Sequence, residues 1–196
     1  MHENKCDYKD HAKYLRECMK MMDAQSKIIS EILELVSLND GKIVPAAESL
    51  DMEQAVAALL PDFQTLAEAA NQRIVTHIPA GQAVVADSKL LQKVLSNLLL
   101  NAVQNTPPGG EIRIWSAPVG EKCRLSILNT GAHIDEAALS KLFHPFYRID
   151  QARSRKSGRS GLGLTIVQKA LEAMGVPYAL ENTPQGVLFR LDLPQA

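Results

Sequence analysis

Two asparagines spaced four residues apart could form one side of a phosphate- and metal-binding site. Asn97 and Asn101 fall within residues 87–105, where apolar residues recur at helical spacing, so both side chains share one face of a predicted helix. Gln104 and Asn105 extend this face with further neutral amides. Amide oxygens can ligate Mg²⁺ together with water and phosphate oxygens, so the pattern suits a magnesium–polyphosphate site. The alternative is a face that is simply exposed to solvent.

A second candidate segment follows a predicted strand and runs from Asn129 through Gly131 to Ile134. Gly131 permits a tight turn or the close approach of a ligand. The Asn129 amide can present both a donor and an acceptor to the edge of a heterocycle. Taken alone, the segment fits a plain turn between a strand and a helix.

A glycine turn at the start of a predicted helix, from Gly161 to Leu164, is the third candidate. Such glycines expose backbone N–H groups to an anion, and the helix dipole adds to the attraction. The turn is neither a Walker loop, since no Gly-Lys-Ser/Thr follows, nor a Rossmann fingerprint. The alternative is a flexible solvated loop. Five cations in the preceding residues suit a polyphosphate: Arg148, Arg153, Arg155, Lys156 and Arg159.

Three aromatic residues occur within five positions, Phe143, Phe146 and Tyr147, in a chain with only 5% aromatics. They could anchor a mobile loop to the core or stack on a ligand, and the sequence leaves both interpretations open. His133 and His144 have no metal-ligating partner at a suggestive spacing.

Short strands and helices must position these segments. Strands on one layer and helices on the other imply an α+β fold, a two-layer α/β sandwich. A stretch at 42–50 suggests a strand broken by Pro45, and Pro61 should kink or split the helix predicted at 51–71. The other predicted strands are 73–78, 83–86, 111–116, 122–129, 178–181 and 187–193, and the other helices are 87–105, 161–174 and a short one within 134–146.

Residues 10–38 are predicted to form one long helix with a heptad seam. Such a helix is marginal alone in water and needs a partner, and additional apolar residues favour a helix bundle. The alternative is a helix folded onto its own domain. The turn signal at 39–41 predicts a boundary between segments 1–38 and 39–196. The seam consists of Leu15, Cys18, Met22, Gln25, Ile29, Ile32 and Val36.

The composition excludes several classes of protein. A formal net charge of −1 gives no bulk attraction to nucleic acid or anionic lipid. Three cysteines without a Cys-x-x-Cys pair argue against a disulfide framework or a zinc site and favour a reducing cytosol. No apolar stretch approaches the ~18 residues of a membrane span, and no signal peptide opens the chain.

Taken in chain order, the amide face, the segment from Asn129 to Ile134, the aromatic segment and the glycine turn resemble the N, G1, F and G2 boxes of sensor histidine kinases. Residues 186–194 resemble the closing strand of that family, and the likeness covers roughly residues 10–196. Within the family, residues 146–154 are particularly similar to the VanS group of vancomycin-resistance sensor kinases, of the VanB type. The resemblance implies the Bergerat fold shared with gyrase and Hsp90, preceded by the second helix of a dimerisation and phosphoacceptor hairpin.

The resemblance also implies that the ligands are ATP and Mg²⁺. It gives catalytic roles to Asn97 and Asn101, with Asn101 as the Mg²⁺ ligand, and brings Asn129 to the adenine edge. Residues 148–160 would form a lid over the nucleotide. The remaining nucleotide-binding positions that it implies are Gln104, Asn105, Gly131, Ile134, Tyr147, Arg148, Gly161, Leu162, Gly163 and Leu164.

The implied activity is transfer of the γ-phosphoryl group of ATP to a histidine, for relay to an aspartate of a cytosolic response regulator in vancomycin-resistance signalling. The long helix would form a homodimer in the cytoplasmic portion of a bacterial plasma-membrane sensor. We expect no nucleic-acid partner, and membrane attachment only through upstream segments. None of the five histidines has the family's His-Glu/Asp-x-x-x-Pro context, so we expect the acceptor upstream of Met1.

Departures from the family pattern keep two alternatives open. Asn129 stands where the family usually has Asp, which predicts weaker nucleotide binding because charge assistance is lost. Gln104 and Asn105 replace a common Lys and Tyr, and Val187 replaces a common hydroxyl residue. One alternative is therefore a non-catalytic interaction module of the same fold that binds nucleotide poorly. The other, an ATPase of the gyrase and chaperone group, is disfavoured because Asn97 cannot act as a general base.

Overall fold

One long N-terminal helix is followed by a mixture of strands and shorter helices. The computed structural model describes residues 8–40, 43–149 and 160–196. Its helices are α1 Tyr8–Asn39, α2 Met52–Ala57, α3 Leu60–Ala69, α4 Ser88–Asn105, α5 Glu136–Leu139 and α6 Gly163–Met174. Its strands are β1 Ala47–Asp51, β2 Arg73–His77, β3 Ala83–Asp87, β4 Glu111–Val119, β5 Lys122–Thr130, β6 Tyr178–Thr183 and β7 Gly186–Pro194.

A five-stranded mixed sheet in the order β2-β4-β5-β7-β6 forms one layer. The β2–β4 pair is parallel and the other neighbours are antiparallel. β1 and β3 form a separate antiparallel pair. The two-layer α+β architecture predicted from the sequence is therefore confirmed.

The core lies between this sheet and the helices α3, α4 and α6. Alternate side chains of β4 and β5, such as Ile112, Ile114 and Leu125, are fully buried against this layer. The apolar face of α4 covers them, with Leu91, Val94, Leu95, Leu98 and Leu99. Packing of this face fixes the rotation of α4 about its axis, so the polar face must point away from the sheet.

The helix predicted at 51–71 is split, as Pro61 suggested. α2 ends at Ala57, and Pro61 lies in the first turn of α3, where its missing N–H costs no helical hydrogen bond. Asp51 caps α2 by accepting from the Gln54 N–H at 3.0 Å. β1 begins only at Ala47, beyond Pro45.

The long helix α1 has two different sides. Leu35 and Leu38 lie against Leu162 and Ile166, at the start of α6, so α1 folds onto the rest of the chain along one stripe. The predicted heptad seam lies on another side and is exposed. α1 ends at Asn39, and the boundary between segments 1–38 and 39–196 stays a prediction. Among the described helices, none combines the length and apolar character that crossing a membrane requires.

Candidate functional site

The helix that carries the amide face is fixed at both ends. At its start, the Asp87 carboxylate accepts from the Leu90 N–H at 3.0 Å, and this hydrogen bond is the main reason why the pKa of Asp87 lies below its usual value. At its end, Gln72 donates from Nε2 to the carbonyls of Val103 and Thr106, at 2.9 and 2.5 Å. These bonds satisfy backbone groups that a helix terminus leaves without partners. The position of α4 is therefore set independently of any ligand.

The polar face of α4 presents amide oxygens. Asn97 donates from Nδ2 to the Lys93 carbonyl at 2.9 Å, which orients its Oδ1 away from the helix backbone. Asn105 donates from Nδ2 to both the backbone carbonyl and Oδ1 of Asn101, at 2.7 and 2.6 Å. An amide oxygen has two acceptor sites, so Asn101 Oδ1 keeps one for a further partner. Gln104 is half-buried on the same side of the helix.

The glycine turn lies directly against Asn97. A Cβ on Gly163 would be 3.0 Å from Asn97 Oδ1, which leaves little room for any larger residue at the start of α6. Among the described residues, no side chain caps the first turn of α6, in contrast to α4. The N-terminus of a helix with uncapped N–H groups attracts anions. The sequence predicted the amide face and the glycine turn as separate features, and the fold places them next to each other.

The aromatic segment meets the glycine turn from the other side. The Phe146 N–H donates to the Gly161 carbonyl at 3.1 Å, and Phe146 has a positive φ of 64°. A Cβ on Gly161 would lie 3.0 Å from Phe146 Cα and 3.2 Å from Arg148 Cγ. Tyr147 and Arg148 are half-buried beside this contact. The two described ends of the predicted lid therefore lie together, whereas Arg153, Arg155, Lys156 and Arg159 fall outside the described residues.

The turn after β5 lies against the end of α4. A Cβ on Gly131, which has a φ of +71°, would be 3.1 Å from Pro107 Cγ. Asn129 precedes this turn, with Ile112 and Val187 directly beside it on the neighbouring strands. Its side chain is only 8% exposed. Within the described parts of the chain, no side-chain hydrogen bond to Asn129 is formed.

Two residues that the sequence interpretation missed hold these segments in place. Asn182 on β6 accepts from the Ile134 N–H at 3.0 Å and donates to the Ile134 carbonyl at 2.6 Å. Thr165 on α6 donates to the Phe143 carbonyl at 2.9 Å. Both bonds join residues more than twenty positions apart, so no local pattern could have indicated them.

The remaining predicted residues divide between the site and the core. Leu162 is fully buried in a cluster with Leu38, and Leu164 is half-buried against the main core, so these leucines can offer a ligand only their backbone. An open groove of about 500 Å³ at α2, α3 and β2 is lined by none of the candidate residues. Among the described residues, no group of three or more His, Cys, Asp or Glu side chains could hold a metal. A cation would therefore depend on amide and ligand oxygens.

One family model and several known proteins are similar to this chain. Residues 86–196 match the model of the family described as histidine kinase-, DNA gyrase B-, and HSP90-like ATPase. The sensor protein VanSB of Enterococcus faecalis is 75% identical over 194 residues, which are 99% of this chain and 43% of VanSB. The chain thus spans less than half of that relative's length.

Two solved structures are similar over nearly the whole chain. The histidine kinase ThkA, in complex with the response regulator protein TrrA, aligns with a TM-score of 0.75 at 25% identity, covering 99% of this chain and 54% of that one. Full-length ShkA in complex with AMPPNP aligns with a TM-score of 0.82 at 21% identity, covering 95% and 39%, a likeness of fold alone. The family match over more than half of the chain shows that this protein belongs to the histidine kinase-, DNA gyrase B- and HSP90-like ATPases.

Proposed function

We propose that the chain is the ATP-binding part, with an adjoining hairpin helix, of a sensor histidine kinase in vancomycin-resistance signalling. It binds Mg-ATP, and the γ-phosphoryl group passes to a histidine outside these 196 residues and then to an aspartate of a response regulator. The observation that carries the proposal is the close approach of Asn97 to Gly163, at which an added Cβ would lie 3.0 Å from Asn97 Oδ1. The identity to VanSB supports the pathway, and the ThkA–TrrA complex supports the kind of partner.

The phosphates of ATP would lie between the polar face of α4 and the first turn of α6. Backbone N–H groups at Gly163 and Leu164 are directed out of an uncapped helix end, and Arg148 lies against the same turn. Gly161 allows this turn its positive φ of 76°, which a larger residue would adopt only with strain. The site therefore offers anion-binding groups without requiring a lysine from a Walker loop.

The residues present fit a magnesium ion that is shared with the nucleotide. Asn101 Oδ1 is a hard oxygen ligand with one acceptor site left, and Mg²⁺ commonly takes only one or two protein ligands beside water and phosphate. When bound, the ion neutralises phosphate charge. Asn101 holds that ion in our proposal, and Asn105 orients the Asn101 amide.

The polar face of α4 favours transfer to an acceptor over hydrolysis. The Asn97 side chain is a neutral amide whose Nδ2 is held by the Lys93 carbonyl, so it cannot take a proton from water. Its nearest charged neighbour on the helix, Lys93, forms an ion pair with Glu34 of α1 at 2.6 Å. Phosphoryl transfer depends mainly on positioning and charge neutralisation, which amides and backbone N–H groups can supply.

Nucleotide binding tests the first step. Titration of the chain with ATP should give a dissociation constant that falls when Mg²⁺ is added. Asn101→Ala should abolish that gain, whereas Gln64→Ala, an exposed amide on α3, should keep it. Equal magnesium dependence in both variants would overturn the assignment of Asn101.

Phosphotransfer tests the second step. The chain is mixed with Mg-ATP and a separately expressed acceptor hairpin, and acid-labile phosphohistidine is measured beside free phosphate. We expect phosphohistidine to form with slow release of phosphate. Fast release of phosphate without phosphohistidine would refute the kinase and favour an ATPase.

A further inference from the structure

Asn129 is a largely buried residue between two apolar neighbours on the adjoining strands. It is 8% exposed, and its neighbours across the two adjoining strands are Ile112, fully buried, and Val187, 6% exposed. Neither neighbour has a polar side-chain atom. Within the described residues no hydrogen bond reaches the Asn129 side chain. Asn129 Oδ1 and Nδ2 do not belong to the described side-chain atoms that are fully buried without a partner. A ligand group can therefore reach them and supply the missing hydrogen bond.

The absence of a protein partner leaves the orientation of this amide undetermined. Gln72 and Asn182 each have hydrogen bonds that fix which end of the amide is the donor. Asn129 has no such bond in the described structure, and its Oδ1 and Nδ2 are similar in size and shape. Rotation of the amide by half a turn therefore exchanges an acceptor for a donor without disturbing Ile112 or Val187.

We propose that the site accepts purine nucleoside triphosphates with either an amino or an oxo group at position 6. This inference rests on the proposed function, ATP binding, with Asn129 at the purine edge as the resemblance to sensor histidine kinases implies. A 6-amino group donates to Oδ1, and a 6-oxo group accepts from Nδ2 after the amide rotates. A carboxylate at this position could only accept, and would leave a 6-oxo group facing a like partial charge.

Competition between three nucleotides tests the proposal on the unmodified chain. The nucleotides are ATP with a 6-amino group, inosine triphosphate with a 6-oxo group, and purine riboside triphosphate with hydrogen at position 6. A single neutral hydrogen bond contributes similarly in both orientations, so ATP and inosine triphosphate should differ by less than about tenfold in affinity. The analogue without a 6-substituent should bind more weakly than both, by roughly two- to tenfold.

The Asn129→Asp variant adds a matched comparison. It should bind ATP at least as tightly and reject inosine triphosphate by about 100-fold or more, because its unpaired acceptor cannot be satisfied. Should this variant fail to fold, the competition on the unmodified chain still decides the question.

Each outcome has a distinct meaning. ATP and inosine triphosphate within about tenfold of each other support the proposal. Binding of ATP with a larger preference over inosine triphosphate overturns it and leaves the ATP-binding function intact. Binding of none of the three nucleotides overturns both.

Discussion

Asn182, on the edge strand β6, is joined to Ile134, which follows the turn at Gly131. Its side chain accepts from the Ile134 N–H at 3.0 Å and donates to the Ile134 carbonyl at 2.6 Å. The turn has little other support in the described structure apart from the bond of 2.9 Å between the Gly131 N–H and the Gln185 carbonyl. The geometry of the proposed purine site therefore depends on a residue outside every predicted motif.

Replacing Asn182 by Asp should weaken nucleotide binding. The carboxylate keeps the bond from the Ile134 N–H but places a second acceptor against the Ile134 carbonyl, which costs about 1–2 kcal/mol. We expect roughly tenfold lower affinity for Mg-ATP by titration calorimetry. Gln185→Ala is the control, since that residue holds the turn through its backbone carbonyl, which the variant retains. Equal affinities in the two variants would show that the hydrogen bonds between Asn182 and Ile134 are dispensable for nucleotide binding.

The sequence revealed those site residues whose neighbours are close along the chain. Asn97 and Asn101 could be placed on one face because helical spacing alone determines it, and the glycine turn was visible from its position before α6. The bond from Asn182 to Ile134 spans 48 residues, and the isolation of Asn129 depends on two neighbouring strands. Such contacts are set by sheet register, which no local pattern specifies.

At the scale of the element, α4 depends on its cap for its position. Asp87 accepts from the N–H groups of Leu90 and Ala46, at 3.0 and 2.8 Å, and so joins the start of α4 to the chain before β1. These hydrogen bonds, that from Leu90 first, lower the pKa of Asp87. A lowered pKa means that the stabilisation is present above the unfolded pKa, near 4, and is lost as the pH falls through the folded pKa.

Asp87→Asn should therefore destabilise the chain in a pH-dependent way. Asn remains a good N-cap, but its amide cannot accept from both N–H groups, so we expect a loss of about 0.5–1.5 kcal/mol at pH 7. The difference from the wild type should shrink as the pH falls below about 4, because the wild-type carboxylate becomes protonated. Denaturant unfolding at several pH values measures it, with Asp62→Asn on α3 as the control for lost charge. A difference that is constant with pH would contradict the role of the carboxylate.

The strands and helices could be predicted closely from the sequence, whereas the docked side of α1 could not. Periodicity placed every strand of the five-stranded sheet, and Pro61 indicated the break before α3. The seam on α1 was also readable, but a helix with two apolar stripes does not reveal which one meets its own domain. The docked stripe contains Leu35 and Leu38 and the charged Glu34, which the ion pair with Lys93 satisfies.

Leucine truncation can identify the docked side of α1. Leu38 is 7% exposed and contacts the start of α6, whereas Leu33 is 63% exposed. Leu38→Ala should lower the free energy that holds α1 on the start of α6 by about 2–3 kcal/mol, whereas Leu33→Ala should change it little. Hydrogen exchange along α1 should accelerate in the first variant only. Equal exchange in both variants would mean that α1 does not dock through Leu38.

At the scale of the whole molecule, α1 can serve two interfaces at once. One stripe contacts the turn before α6, which includes Gly161 and Leu162, and the other remains open to solvent. Large apolar side chains clustered on an exposed helix face mark an interaction surface. We infer that the open seam pairs with the same seam of a second copy. The docked stripe of α1 would then hold the nucleotide site of each copy against this dimer.

Neighbouring substitutions on α1 separate this dimer from the docked interface. Ile29 lies on the seam and is 58% exposed, whereas Ser30, the next residue, is exposed but lies off both stripes. A lysine on the seam must be desolvated or must separate the helices, while a lysine at position 30 stays in water. Sedimentation should therefore show concentration-dependent dimers for the wild type and Ser30→Lys, and monomers for Ile29→Lys. Nucleotide affinity should be unchanged in both variants, because both side chains are exposed on α1. Dimers that persist in Ile29→Lys would show that the seam is not the interface, and a loss of nucleotide binding there would show that the two sides of α1 do not act independently.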